Sequence, residues 1–230
     1  MNDVQDFERV WLSKFAKCLD QEVGEEVRKY IMDGNDQFSS STSPEDVIQW
    51  TRDAMQRLDR SVDEPHRRAV MTGCACLYPA SELQEIKAIY ENSHDLELVC
   101  AMLQERFETS LRSDMGLEEE LIDEVVKQGW GPAGLRDGKT IIVTKIPKSG
   151  NLEAYLGEPD SEIRRQLYCH CPRVRDAVSK SEELPITYCY CGAGFYKALW
   201  EEIIQEPVYV EVLESVLAGD DVCKIAVYLP

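Results

Sequence analysis

Apolar positions recur every three or four residues through the amino-terminal half of the chain. From Val4 to Leu19 this spacing sets Phe7, Val10, Trp11, Phe15 and Cys18 on one stripe, which predicts a helix with a buried face. After the polar tract Phe38-Ser39-Ser40-Ser41-Thr42, Ser43 suits an N-cap and Pro44 the first helical position. Val47, Ile48, Met55 and Leu58 then keep the period, so a helix is expected over about 44–60. Leu83, Ile86, Ile89 and Tyr90 predict another, Leu96, Cys100, Leu103 and Phe107 a fourth, and Leu117, Leu121, Val125 and Val126 a fifth.

The pattern changes at Gly129-Trp130-Gly131-Pro132-Ala133-Gly134, which together with Asp137-Gly138 marks a junction loop near 129–139. Thr140 to Ile146 is short and β-branched and reads as a strand, ended by Pro147 and the Lys148-Ser149-Gly150 turn. A helix is expected near 159–168 and a second from Gly192 to Gln205, with Phe195, Leu199 and Ile203 on one face. Val208 to Leu213 and Val222 to Leu229, joined through Gly219-Asp220-Asp221, predict a closing antiparallel hairpin. The fold class expected is α+β: a helical layer over 1–128 packed on a domain over 140–230 with a small antiparallel sheet and helices, as two regions or one compact unit.

With 43% hydrophobic residues over 230 positions, the chain can bury a proper core without disulfide staples. Its longest apolar runs, such as Ile141 to Val143, fall short of the roughly 20 residues that span a bilayer, so no membrane partner is expected. The start MNDVQDFERVWL lacks the basic-then-apolar order of a secretory signal, which points to the cytoplasm. A net charge of −18 repels phosphate backbones and excludes nucleic acid as a favoured partner. A homo-oligomer is left open by these features. One basic island, Arg164, Arg165, Arg173, Arg175 and Lys180, surrounds Cys169 and Cys171, where it is expected to favour thiolate.

Nine cysteines in a chain without a secretory signal turn attention to metal or thiol chemistry. Six of them form the units Cys74-Ala75-Cys76, Cys169-His170-Cys171 and Cys189-Tyr190-Cys191, whereas chance placement gives about 0.35 such pairs. In extended backbone, residues i and i+2 face the same way, so each unit is expected to present two sulfurs together. Two units suffice for a four-sulfur zinc site, and six sulfurs with His170 suffice for a metal pair, an iron centre or an iron–sulfur cluster. The candidate metal ligands are therefore Cys74, Cys76, Cys169, Cys171, Cys189 and Cys191, with His170 as an additional ligand or proton carrier. Cys18 and Cys100 lie on apolar stripes and Cys223 in the last strand, where packing is the expected role.

Beside the third pair, Tyr188, Tyr190, Phe195, Tyr196, Trp200 and Tyr209 concentrate aromatic area that suits a pocket for a small apolar molecule. The glycines at 129, 131 and 134 match G-x-G-x-x-G in form, but they follow a helix and precede a strand, the reverse of a nucleotide-binding turn. No P-loop, H-E-x-x-H or G-x-S-x-G motif occurs, which removes the usual kinase and hydrolase readings.

The stretch Cys189-Tyr190-Cys191-Gly192-Ala193-Gly194-Phe195-Tyr196, followed by Glu206-Pro207-Val208, Glu214-Ser215, Gly219-Asp220 and Cys223-Lys224-Ile225, resembles the end of the 4-vinyl reductase-type small-molecule-binding domain. The resemblance implies an α+β ligand-binding fold whose cysteines hold a metal. Ser215 stands where many such domains carry a cysteine, so their site does not transfer intact. The larger arrangement, with Gly73-Cys74-Ala75-Cys76 and Tyr168-Cys169-His170-Cys171-Pro172, resembles an uncharacterised cysteine-rich family of anaerobic microbes. Three functions are compatible with these features: a metal-binding sensor or carrier of a small apolar molecule, with zinc the first choice and iron or an iron–sulfur cluster the second; a thiol- or metal-dependent redox or hydrolytic enzyme; and a purely structural zinc site.

Overall fold

A computed structural model describes residues 2–35, 42–148, 150–180 and 183–230, with side chains from Arg9 onward. Phe7, most of the 38–42 tract and Ser149 lie outside that description. Helix α1 (Asn2–Glu22) turns Trp11, Phe15 and Leu19 inward, but Val10, expected on the same stripe, is 50% exposed. The short α2 (Glu25–Ile31) follows.

Helix α3 (Pro44–Ser61) begins as its sequence dictates, with the Ser43 side chain accepting the Asp46 N–H and Pro44 at the first helical position. Ile48, Met55 and Leu58 bury its apolar stripe. Helix α4 (Glu64–Gly73) has the same start in another form: Asp63 accepts the His66 N–H, and Pro65 sits in the first turn. Three further helices complete the amino-terminal layer, α5 (Ala80–Ser93), α6 (Leu96–Ser113) and α7 (Glu119–Lys127).

The glycine-rich junction is a packed loop. Gly131 adopts a φ of 111° beneath the Phe107 ring, where a Cβ would stand 2.6 Å from ring carbons. Strands β1 (Leu135–Asp137) and β2 (Thr140–Thr144) then form a hairpin. Helices α8 (Leu152–Gly157), α9 (Ser161–Tyr168) and α10 (Pro172–Ser179) lead to the long α11 (Tyr190–Ile204). Strands β3 (Tyr209–Glu214) and β4 (Lys224–Tyr228) close the chain as the expected antiparallel hairpin.

The sheet order is β1-β2-β4-β3, antiparallel throughout, so β4 lies between the two hairpins' partners and the fold is α+β. The main hydrophobic core runs from Trp11 and Phe15 through Met71 and Leu199 to Val143 and Val227, joining the helical layer to the sheet, and a small second cluster gathers Ile48, Ala177 and Leu184. Helix α11 packs against α4, α5 and β3 at its centre. It meets α4 so closely at Gly194 that a Cβ there would lie 2.0 Å from the Thr72 carbonyl oxygen. Only glycine permits that crossing, and the crossing fixes where the first turn of α11 sits. No helix among the described residues is long and apolar enough to cross a membrane.

Candidate functional site

Strand β2 alternates, with Ile141 and Val143 fully buried on its core face. Two residues further on, just past the strand, the same parity brings Lys145 inward, held by its backbone N–H on the Cys223 carbonyl at 3.0 Å. A lysine here opens onto a cavity of about 410 Å3 instead of packed side chains. The walls come from Lys145 and Ile146, the 169–171 segment, the start of α11, the ends of β3 and β4, and α6 with Gly131 and Pro132.

Six of the nine cysteines face this space: Cys76, Cys169, Cys171, Cys189, Cys191 and Cys223. All nine are free thiols. They reach the cavity by different routes. Cys169 and Cys171 are extended, with ψ of 136° and 122°, so the i, i+2 rule holds there and both sulfurs point inward. Cys189 and Tyr190 are helical, with ψ of −14° and −20°, contrary to the extended reading of that pair. Cys189 and Cys191 therefore leave the helix start in different directions and meet the cavity at separate points. At the first unit the chain leaves α4 with Cys74 in helical conformation, and the two sulfurs part. Cys76 is exposed and reaches the cavity wall, whereas Cys74 is 1% exposed, donates to the Val70 carbonyl at 3.3 Å and neighbours Cys18.

Cys74 is thus withdrawn from the proposed ligand set, and Cys223, expected only to pack, joins the wall. Among the described residues no three histidine, cysteine, aspartate or glutamate side chains approach closely enough to hold one metal ion. The sulfurs are spread round the cavity instead of meeting at a point, and as they stand they do not fit a closed metal site.

The aromatic set divides in the same way. Tyr188, Phe195 and Tyr196 line the cavity, joined by Tyr78 and Phe107 from the helical layer. Tyr190 lies instead beneath Arg68, whose guanidinium carbon is 4.8 Å from its ring centre. Trp200 is fully buried in the core, and Tyr209 is 52% exposed, its ring centre 5.8 Å from the same Arg68 guanidinium carbon.

Burial sets the protonation of the wall. It pushes the Cys169 and Cys191 thiols up to about 12, and it raises Cys189 and Cys223 as well. The expected arginine-stabilised thiolate is corrected by where the arginines go. Arg164 and Arg165 pair with Asp221 at 3.3 and 3.6 Å, Arg173 stacks 4.1 Å over Trp11, and Arg175 donates to the Cys169 and His170 carbonyls. Their charge is spent outside the cavity, and Cys169, Cys189, Cys191 and Cys223 keep their protons at physiological pH. Two of the cavity's cysteines take part in hydrogen bonds at 3.2 Å, Cys171 with the Tyr188 hydroxyl and Cys189 with the Ser215 hydroxyl.

His170 donates from Nε2 to the Ile146 carbonyl at 2.9 Å, which anchors the 169–171 segment to the end of β2. The protein packed round the ring, part of which stays exposed, lowers its basicity to about 4, with Lys145 adding to the effect. A neutral imidazole already committed to a carbonyl positions the loop and has no proton to give at neutral pH. For Lys145, burial pulls the ammonium down, but at the high pH where Cys169 and Tyr196 ionise their negative charge raises it to about 12, so it is a cation at neutral pH. Lys145 was absent from the sequence-derived site, although its place on the core-facing parity of a β-branched strand was a readable signal.

A family of unknown function (DUF6144) matches residues 150–229, the stretch that supplies most of the cavity's cysteines. That is the segment from which the likeness to the 4-vinyl reductase-type domain was read, and the match lends that likeness no support. No curated protein and no solved structure matches the chain.

Proposed function

We propose that the protein binds a small, largely apolar molecule in the cavity between its sheet and its helical layer. The observation that carries this reading is the cavity itself: about 410 Å3, walled by aromatic rings, aliphatic side chains and protonated thiols, with few polar groups. Its size falls within the range of small-molecule sites, roughly 300–1,000 Å3, and neutral thiols behave toward a ligand as soft apolar surface.

Fluorescence titration with N-phenylnaphthylamine, an uncharged apolar probe, tests the reading. Saturable binding of one probe per chain is expected, and Val212→Trp, which fills the cavity from β3, is expected to abolish it. Binding that is unsaturable, or equal in the filled variant, would reject the cavity as the site.

A second reading is supported by the six sulfurs that line the cavity: rotation of their side chains would let some of them hold a soft metal ion, zinc or iron, as the ligand or beside it. Metal and acid-labile sulfide content of protein purified without oxygen decides it, compared with the Cys169→Ser/Cys171→Ser variant. About one metal per chain that is lost in the variant supports a metal centre; none in either protein removes it.

A further inference from the structure

Lys145 stands out among the charged side chains on the wall. Of the other charged side chains there, Glu214 is paired with Lys224 at 2.8 Å, and Arg106 with Glu85 at 2.6 Å while it also donates to the Glu82 carbonyl. Among the described residues no carboxylate pairs with the Lys145 ammonium, and no side-chain hydrogen bond engages it. Burial raises the Cys169, Cys191 and Cys223 thiols around it, so these keep their protons at neutral pH and supply no compensating anion. Lys145 is half-buried on a largely apolar wall, where a cation without a counter-charge is costly, and a bound anion removes that cost. The Lys145 Nζ also lies near the start of α11, 3.9 Å from where a Gly192 side chain would begin, so the absence of a side chain at Gly192 leaves room beside the ammonium.

We propose that Lys145 is the anchor for an acidic head group, and that the cavity's ligand is an anionic amphiphile: an apolar, aromatic or aliphatic body bearing one carboxylate or comparable anion. This rests on the small-molecule reading above and names the class of molecule that the site selects. The body lies among Tyr188, Phe195, Val212 and Ile225, and the head group lies at the Lys145 end of the wall. The outer hollow that shares Tyr78, Arg106 and Ser110 with the cavity also carries Glu82, Glu85, Glu105 and Asp114. That acidic rim repels an approaching anion, so added salt is expected to speed association by screening it.

The test uses bound N-phenylnaphthylamine as reporter and two displacing molecules of one skeleton, phenylbutyrate and phenylbutanol. In the wild type, phenylbutyrate is expected to displace the reporter at about tenfold lower concentration or less, the advantage of a charge-assisted hydrogen bond. Lys145→Met is expected to erase that preference, so that phenylbutyrate and phenylbutanol displace the reporter at similar concentrations. Retained reporter binding shows that the variant is folded. Should Lys145→Met fail to fold, Lys145→Gln serves in its place, and the wild-type preference alone still decides against the proposal when it is absent. Displacement by phenylbutyrate no stronger than by phenylbutanol, or a preference that survives loss of the ammonium, overturns the anion site and leaves the cavity reading intact. Failure of the reporter itself to bind the wild type overturns both.

Discussion

Replacing Gly194 by alanine tests the packing that places the cavity. The added Cβ would lie 2.0 Å from the Thr72 carbonyl oxygen and 2.7 Å from the carbonyl carbon and Cα of the same residue. Those are backbone atoms of α4, and no side-chain rotation relieves them. Ordinary contact needs roughly 3.5 Å, so the two helices must part by more than about 1 Å along a line where both are packed to core density. Overpacking of this kind costs about 1–3 kcal/mol and more when backbone must move, while removing a glycine from a helix interior returns about 1 kcal/mol. A net loss of about 2 kcal/mol is expected, which for a chain of this size lowers the melting temperature by about 4–8 °C. Gly192→Ala is the matched control, since the nearest atom to its new Cβ is Lys145 Nζ at 3.9 Å. It carries the same gain in helix propensity without the clash, so it should be neutral or stabilise by up to about 1 kcal/mol. Thermal unfolding followed by circular dichroism measures both. If Gly194→Ala melts at or above the wild-type temperature, the α4–α11 crossing does not constrain α11 as argued.

Cys18, whose pKa is lowered to about 7 first of all by its hydrogen bond with Cys74, should be alkylated by iodoacetamide with a midpoint near pH 7; Cys74→Ala should move that midpoint upward. Tyr168→Phe should cost about 2 kcal/mol in urea unfolding, because the buried hydroxyl accepts the Cys223 N–H at 3.0 Å and donates to the Lys145 carbonyl, and its loss strands both groups. The His170 ring should titrate near pH 4 by proton NMR, well below its ordinary value of 6.5. Between those two pH values the unfolded chain takes up a proton that the fold refuses. The stability contribution of His170 is therefore whole above pH 6.5 and lost progressively as pH falls to 4, visible as a fall in urea midpoint that His170→Gln abolishes.

Much of the fold was written locally. Ser43-Pro44 announced α3, the β-branched run from Thr140 announced β2, and the Gly219 turn between two apolar runs announced the closing hairpin, since caps, propensities and turns act over a few residues. Helices α4 and α10 were missed: one hides its start in Asp63 and Pro65, the other in the proline that follows the second cysteine pair. The site was legible in outline only. The cysteine pairs did mark the cavity, but the rule that i and i+2 face alike presupposes extended backbone, and only Cys169 and Cys171 have it. At Cys74 and Cys189 a helix end intervenes, and its conformation is set by packing of α4 against α11, which no local pattern reveals. The arginine island misled for the same reason: sequence proximity to a thiol says nothing about where a guanidinium finds its partner. Tyr190, Trp200 and Tyr209 show the limit of reading a pocket from aromatic density, since Tyr190 and Tyr209 gather round Arg68 and Trp200 enters the core.

The position of bound N-phenylnaphthylamine in a crystal of its complex with the protein is the most direct test of the ligand-binding claim. The probe is expected inside the cavity, its rings between Tyr188, Phe195 and Ile225 with the thiols of Cys189 and Cys223 nearby. A probe seated on the surface, with the cavity collapsed or filled by side chains, would contradict it.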